Sequence, residues 1–199
     1  TLNTIAGKIG EKEPTVLYSL DKLISVGLVE KKKCITEEKN KKKTQYVLKD
    51  YMFKFWYEFI PKATSVIEIG QGEIYYQKAV KPILHSFMGA VFEDMCRYYT
   101  LKKGIIGEYG CFITSVGTWW GVENIKDKHG NMRTQSVDID VVALSEVDKK
   151  ALVGECKFKS EKIDKSIYET LVSRGKLLPA KYKVCLLYTS PSPRDATLS

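Results

Sequence analysis

The sequence predicts a mixed fold of the α+β or α/β class, built from two successive parts. Residues 1–60 alternate helix-like and strand-like patterns around one lysine-rich segment. Further along, two strand-like runs at 136–144 and 151–158 carry acidic and basic residues among apolar ones. The chain has 199 residues, of which 44% are hydrophobic and 28% charged, enough for one large or two small folded domains. This composition excludes a disordered chain, a collagen repeat and a disulfide scaffold.

Charge, cysteine content and hydropathy indicate where the protein is located and what kind of partner it binds. No apolar run approaches the roughly 20 residues that span a bilayer, so we expect no membrane partner. Five scattered cysteines, with neither a CxxC pair nor a signal peptide, predict a cytoplasmic location. The formal net charge of +8 favours an anionic partner, with DNA the expected one. The sequence leaves the oligomeric state open.

The element order over residues 1–60 is that of a winged helix-turn-helix. Pro14 is suited to begin a helix, and Gly27 is suited to the left-handed conformation that ends one. The aromatic run that begins at Asp50 has helical spacing and predicts a core helix. The predicted elements are helices over 4–9, 14–25 and 50–60 and strands over 28–30 and 44–48.

The basic segment between those two strands predicts contacts with phosphates. Residues 31–43 hold seven Lys and two Glu, a net charge of +5. A wing of this kind can lie along phosphates while the preceding helix enters the major groove. That helix offers no arginine for guanine, so we do not expect strong sequence specificity. A solvated loop and a protein–protein spacer are the alternatives. The predicted DNA-binding residues are Tyr18, Lys22, Lys31, Lys32, Lys33, Lys41, Lys42 and Lys43.

The part after residue 60 alternates helices and strands. The pair Trp119-Trp120 precedes a predicted polar loop over 123–133 and is interpreted as packing rather than base stacking. The other predicted elements are a loop over 61–72, a helix over 75–99, strands over 111–116, 136–144 and 151–158, a turn over 145–150, a helix over 163–178 and a strand beginning at 181.

The charged residues of two of these strands form the candidate site. Alternation places Asp138 and Asp140 on one face of their strand, and Glu155 and Lys157 on one face of the next. If the strands pair antiparallel, Asp140 and Glu155 face each other at the open end of the hairpin. Such a site can bind Mg²⁺ or Mn²⁺, polarise a phosphodiester and help to deprotonate water, with Lys157 stabilising the developing charge. The alternative is an exposed ion pair that contributes well under about 1 kcal/mol.

The ordered set of Asp140 followed by Glu155-Cys-Lys157 resembles the motif of the PD-(D/E)xK nuclease superfamily. The resemblance implies a restriction-endonuclease-like mixed sheet flanked by helices. It also implies a role for an acid on the first core helix, where Glu93 matches and Asp94 is the alternative. The predicted catalytic residues are Asp140, Glu155, Lys157 and Glu93, and the predicted metal ligands are Asp138, Asp140 and Glu155.

The chain is also similar to the C-terminal half of archaeal-type AAA ATPases, where a winged helix precedes a domain of uncharacterised function. The similarity lies in residues 50–57, 117–121, 138–143 and 154–158, with Asp138 standing where relatives often carry Glu. It implies an upstream ATPase domain as partner, while the absence of a GxxxxGK[ST] loop predicts no ATP site in this chain. The expected function is a DNA-binding, magnesium-dependent nuclease portion of such an ATPase. A non-catalytic regulatory or binding module is the alternative, so enzymatic activity stays open.

The predicted domains are a winged helix-turn-helix over 1–60, a truncated nuclease-like domain over 61–184 and a non-native tail over 185–199. Residues 185–195 back-translate into a string that resembles a transposon-type sequencing adaptor. A natural Ser/Pro-rich tail is the alternative. We therefore expect a metagenomic fragment that is open at both ends.

Overall fold

The computed structural model describes residues 1–37, 40, 44–126, 130–158 and 164–187. The predicted mixed α+β class is confirmed, and the chain divides into two compact units. The first unit comprises residues 1–33 and 37–87, and the second comprises 34–36 together with the chain from residue 88 onward. The boundary predicted after residue 60 lies inside the first unit. Within the described ranges, no helix combines the length and apolar character needed to cross a bilayer.

The first unit begins with two helices and an antiparallel strand pair. These elements are α1 (Leu2–Ile9), α2 (Glu13–Ser25), β1 (Val29–Lys32) and β2 (Gln45–Leu48). Pro14 lies in the first turn of α2. Backbone N–H groups in the first turn have no acceptor within the helix, so the N–H that proline lacks costs no hydrogen bond. The helix ends just before Gly27, whose φ of 77° only glycine adopts at no cost. The predicted helices over 4–9 and 14–25 and the predicted strands over 28–30 and 44–48 are therefore confirmed.

Four helical segments follow in the first unit and lead into the second. They are α3 (Tyr51–Phe59), α4 (Thr64–Glu68), α5 (Gly72–Tyr75) with a π-helical turn (Tyr76–Val80), and α6 (Lys81–Ile105). Asp50 caps α3 by accepting the backbone N–H groups of Met52 at 2.7 Å and Phe53 at 3.1 Å. Only Phe59 of α3 is buried, so α3 is less enclosed than the predicted core helix. The predicted loop over 61–72 contains α4, and the predicted helix over 75–99 extends to Ile105.

The second unit is a four-stranded mixed sheet with helices. Its further elements are β3 (Ser115–Lys126), β4 (Met132–Ser145), β5 (Lys150–Gly154), α7 (Lys165–Gly175) and β6 (Lys183–Leu186). The strand order is β3-β4-β5-β6, with β5 and β6 parallel and the other neighbours antiparallel. The helix α7 is the crossover between the two parallel strands. Of the predicted tail, residues 185–187 are described and 188–199 lie outside the described residues.

The strand β3 differs most from the sequence prediction. The sequence predicts a strand over 111–116 and a loop over 123–133, but β3 and β4 pair from Ser115 to Lys126. Backbone hydrogen bonds hold the outer part of this hairpin, where most side chains are exposed and show no apolar period. Trp119 is 6% exposed and lies in the core, which confirms its predicted packing role. Gly121 makes room for it, since a Cβ there would lie 2.6 Å from the indole ring.

Residues 34–36, which we call the edge segment, complete this sheet. The backbone N–H of Ile35 donates to the carbonyl of Thr118 in β3 at 3.2 Å. The Cys34 side chain is fully buried, and both Cys34 and Ile35 belong to the main apolar core with Trp119. The lysine-rich segment is predicted to be a wing, yet its residues 34–36 are a structural part of the second unit.

Candidate active site

The pairing of β4 with β5 brings the predicted acids together. The last paired residues are Val141 and Gly154, so the next positions outward are Asp140 and Glu155. The backbone N–H of Cys156 donates to Asp140 Oδ2 at 2.8 Å and continues the contact beyond the strand end. The predicted antiparallel hairpin is confirmed. However, β5 ends at Gly154, so Glu155 and Lys157 follow the strand instead of lying within it.

A β-bulge sets the position of Asp140. The flanking residue pairs are Gly117 with Val142 and Trp119 with Ile139. Between these pairs the chain advances by three residues in β4 but by only two in β3. The alternation of β4 therefore changes parity, and both Ile139 and Val142 reach the same core cluster. Bulges re-aim side chains and are common beside active sites. The simple alternation predicted from the sequence is interrupted at Asp140.

The pKa of the Asp140 carboxyl is strongly raised. Burial raises the pKa of Asp140 to about 6, the Cys156 N–H opposes this rise, and the charges of Glu155 and Glu93 add to it. An ionised carboxylate held away from water beside two further acids is unfavourable without a compensating cation. We call Asp140, Glu155 and Glu93 the acid cluster.

Lys157 supplies positive charge to the acid cluster. Its Nζ lies 2.7 Å from Glu155 Oε1, and the Glu155 side chain is only 17% exposed. Burial disfavours the charge of Lys157, but the hydrogen bond and charge of Glu155, with that of Asp140, raise the pKa of Lys157. Lys157 is therefore a protonated donor at neutral pH. The partial burial of Glu155 separates this pair from the freely exposed ion pair considered as the alternative.

Glu93 reaches the cluster from α6 together with an arginine that the sequence reasoning missed. Arg97 Nη1 donates to the backbone carbonyl of Asp140 at 2.8 Å and lies 3.5 Å from Glu93 Oε2. Arg97 Nη2 pairs with Asp94, and the Arg97 side chain is only 11% exposed. Glu93 is among the charges that raise the pKa of Asp140. The spacing of Glu93 and Arg97 by four residues is the sequence signal for this contact.

Asp138 has a different neighbour. Arg174 Nη1 in α7 donates to the Asp138 carbonyl at 2.8 Å and lies 3.8 Å from Asp138 Oδ1. The Asp138 side chain is 66% exposed. The largest charge effects on the pKa of Asp140 come from Glu155, Glu93 and Lys157. The predicted metal-binding role of Asp138 stays a prediction.

Two thiols lie at the back of the site. Cys96 of α6 and Cys156 contact each other, and this contact, together with burial, raises the pKa of Cys156. Neither thiol is in a disulfide. Cys156 is therefore a neutral thiol at physiological pH, and its contribution to the site is the backbone N–H that holds Asp140.

The predicted DNA-binding residues have different surroundings. Lys22 Nζ lies 4.2 Å from the centre of the Tyr18 ring, which is itself exposed. Lys31 Nζ lies 3.0 Å from Asp21 Oδ1, so part of its charge is compensated. Lys33 is exposed and Lys32 is half-buried at the end of β1. The remaining three predicted contacts, Lys41, Lys42 and Lys43, lie outside the described residues.

Two carboxylates of the acid cluster are the residues that could hold a metal ion. Within the described part of the chain, no group of three His, Cys, Asp or Glu residues is arranged to hold a metal ion. Asp140 and Glu155 remain as a pair of carboxylates at adjacent positions. Mg²⁺ is commonly held by one or two carboxylates while several waters complete its octahedron. A Mg²⁺ ion here would thus have Asp140 and Glu155 as protein ligands and water as its other ligands.

Comparison with known proteins places the chain among archaeal and bacterial sequences. Residues 56–167, more than half of the chain, match the DUF234 family, described as archaeal and bacterial proteins of unknown function. An uncharacterized protein of Methanocaldococcus jannaschii is 28% identical over 180 residues, which are 89% of this chain and 37% of that protein. The chain thus spans a little over a third of the length of this relative. No solved structure matches the chain significantly.

Proposed function

Since the chain belongs to the DUF234 family of archaeal and bacterial proteins, we propose that it contributes a magnesium-dependent phosphodiesterase site that acts on DNA. The observation that carries the proposal is the convergence of Asp140, Glu155 and Glu93 beside the Lys157 ammonium. A carboxylate with a perturbed pKa and specific charged neighbours is typical of functional sites, and Asp140 is such a carboxylate. Their arrangement at a strand end favours a restriction-endonuclease-like fold for the second unit.

The balance of charge in the cluster supports a cation as ligand. Asp140 is desolvated, and the charges of Glu155 and Glu93 repel its own. Lys157 and Arg97 compensate Glu155 and Glu93 respectively, while the carboxylate of Asp140 accepts the backbone N–H of Cys156. Asp140 and Glu155 are the residues that would hold Mg²⁺ or Mn²⁺. When bound, the ion supplies Lewis acidity that polarises a phosphodiester oxygen and acidifies a water molecule.

The side chains of the site have distinct roles in this proposal. Asp140 would hold the ion, and the backbone N–H of Cys156 keeps its carboxylate in place. The Lys157 ammonium donates to the negative charge that develops on the phosphate during hydrolysis. Glu155 holds Lys157 in position through its 2.7 Å contact. Glu93 adds negative charge and fixes Arg97 against the Asp140 backbone.

The first unit supplies the proposed DNA contact. Its order of helix, helix, strand and strand supports a winged helix-turn-helix. Tyr18 and Lys22 on α2, with Lys32 and Lys33 after it, are the described residues through which phosphates would be bound. Lys31 contributes less, because Asp21 already pairs with it. An ATPase domain elsewhere in the full-length protein is the proposed partner.

Cleavage of plasmid DNA by the full-length protein, with Mg²⁺ or Mn²⁺, tests the proposal. We expect nicking that Glu155→Ala and Lys157→Ala each reduce at least about 100-fold, because the first removes a ligand of the ion and the second removes a donor to the developing charge. Lys165→Ala and Glu169→Ala are the matched controls, because these residues form an exposed pair of the same charge types on α7. Cleavage that survives both site variants would show that the assigned residues are wrong.

A non-catalytic DNA-binding or regulatory module is the second candidate. The observation that favours it is that no three metal-ligating side chains are pre-arranged among the described residues. On this hypothesis titration calorimetry finds no Mg²⁺ binding at millimolar concentrations, and Asp140→Asn leaves DNA affinity unchanged. Mg²⁺ binding that Asp140→Asn abolishes would favour the phosphodiesterase instead.

A further inference from the structure

Arg174 contacts β4 two residues before Asp140, and one of its N–H donors has no acceptor among the described residues. It lies in the last turn of α7, and its side chain is 20% exposed. Its Nη1 donates to the Asp138 carbonyl at 2.8 Å. Its Nε is buried, and among the described residues no atom accepts a hydrogen bond from it. Arginine presents five donors in a planar fork, so this arrangement leaves donor capacity for a ligand.

The contact with Asp138 does not account for the position of Arg174. The Asp138 carboxylate is 66% exposed and 3.8 Å from Nη1, so water screens most of this attraction. A buried N–H without an acceptor opposes the arrangement, because its lost hydration is not replaced. A turn of the guanidinium toward a ligand would cost the hydrogen bond from Nη1 to one backbone carbonyl.

Arg174 also lies close to the acid cluster along β4, because the carbonyl that it contacts belongs to Asp138, two residues before Asp140. A phosphate held beside Asp140 needs cationic donors for its free oxygens. Arginine is suited to this task because its fork matches the tetrahedral oxygens of a phosphate.

We propose that Arg174 binds a non-bridging oxygen of the DNA phosphate that occupies the acid cluster. This inference rests on the proposed function, since it names a substrate contact of the same site. Arg174 thereby holds the phosphodiester against Asp140, while Lys157 remains available to the developing charge. The sequence offers no signal for this role, because Arg174 lies well beyond Lys157 in the chain and outside the motif.

Binding of a fluorescent DNA duplex to the full chain tests the inference. Anisotropy is measured from low to moderate salt, with Ca²⁺ in place of Mg²⁺. We expect Arg174→Gln to weaken binding about tenfold at low salt and to reduce the slope of log K against log salt by about 0.9, the value of one phosphate contact. Lys165→Gln removes one charge from the other end of α7, where the side chain is 84% exposed, and is expected to leave both quantities unchanged.

Arg174→Lys keeps the charge and separates a phosphate contact from a structural role. We expect it to preserve the salt slope and to lose about threefold in affinity, because the planar fork is gone. If Arg174→Gln has a lower melting temperature than the wild type, the DNA affinity of Arg174→Lys is the test. Wild-type affinity in Arg174→Lys then overturns the inference. Equal affinity and slope in Arg174→Gln and Lys165→Gln overturn it as well. A wild type that binds the duplex but does not cleave with Mg²⁺ or Mn²⁺ removes the proposed function and leaves this comparison intact.

Discussion

Replacing Asp140 by Asn is expected to stabilise the fold while it removes the central carboxylate of the site. Burial, Glu155 and Glu93 raise the pKa of Asp140 from 3.8 to about 6. A rise of that size corresponds to about 3 kcal/mol of unfavourable free energy for the ionised carboxylate at neutral pH. Asn can still accept the Cys156 N–H, but its new amide N–H groups need partners. We therefore expect a net gain of about 1–2 kcal/mol in the free energy of unfolding at pH 7.5.

The stabilisation has a defined pH dependence. Between pH 3.8 and about 6 the folded protein holds a proton on Asp140 that the unfolded chain releases. The contribution of Asp140 to stability therefore falls as pH rises through this window, and the full cost is present above it. Asn does not titrate, so the advantage of Asp140→Asn should be smallest at pH 4 and largest at pH 7. Urea unfolding in EDTA, followed by tryptophan fluorescence, measures this difference.

The control is Asp138→Asn in the same strand. Its carboxylate is 66% exposed, so the change is expected to alter stability by less than about 0.5 kcal/mol at every pH. The reasoning is refuted if Asp140→Asn is no more stable than the wild type at pH 7.5. A constant advantage across the pH range would contradict it too, because a packing effect and not a desolvated charge would then be responsible.

Three further predictions concern the second unit. Ile35→Ala removes a side chain from the main core and is expected to cost about 2–4 kcal/mol in urea unfolding. Gly104→Ala places a Cβ against the Ile113 side chain, closer than van der Waals contact allows, and is expected to cost about 1–3 kcal/mol by overpacking, measured in the same way. The Tyr182 hydroxyl and two lysines lower the pKa of Glu146 to about 2, so the stability it provides is present above pH 4.5 and lost toward pH 2. Glu146→Gln should therefore flatten the acid limb of the unfolding profile.

Each of these changes has a counterpart elsewhere in the chain. Ile106→Ala alters an isoleucine that is 69% exposed and should leave stability nearly unchanged. Gly7→Ala adds a Cβ with no atom within 4 Å in α1 and should stabilise by about 0.5–1 kcal/mol through helix propensity. Glu169→Gln should leave the acid limb as it is in the wild type. If a substitution and its control change stability equally, the physical reason given for that substitution is wrong.

The parts of the structure that local chemistry determines were predictable from the sequence. Pro14 and Gly27 bound a helix because each suits one backbone position that other residues occupy at a cost. The antiparallel register of Asp140 with Glu155 followed from two apolar runs and a turn of the right length. Asp140 marked the candidate site because a charge within an apolar strand is costly to bury without a partner.

The remaining features depend on contacts between distant residues. The β3–β4 hairpin is polar on its outer part, so it shows no hydrophobic period to detect. The bulge at Asp140 depends on a mismatch of one residue between two strands, which neither strand shows by itself. Arg97 and Arg174 reach backbone carbonyls of β4 from two helices, and a carbonyl acceptor leaves no mark in a sequence. The edge segment lies within the predicted wing but joins a sheet whose first strand begins only at Ser115, far along the chain.

The edge segment has a practical consequence for any attempt to produce the second unit alone. A continuous fragment that starts after residue 60 contains β3, β4, β5 and β6 but lacks Cys34 and Ile35. The backbone carbonyls of Thr118 and Trp120 in β3 accept hydrogen bonds from the Ile35 N–H and the Cys34 thiol. In the fragment these carbonyls would lose both donors. An uncovered outer strand pairs readily with another molecule, so such a fragment should self-associate. A fragment that does not self-associate would need residues 34–36 joined by a short linker to the chain ahead of β3.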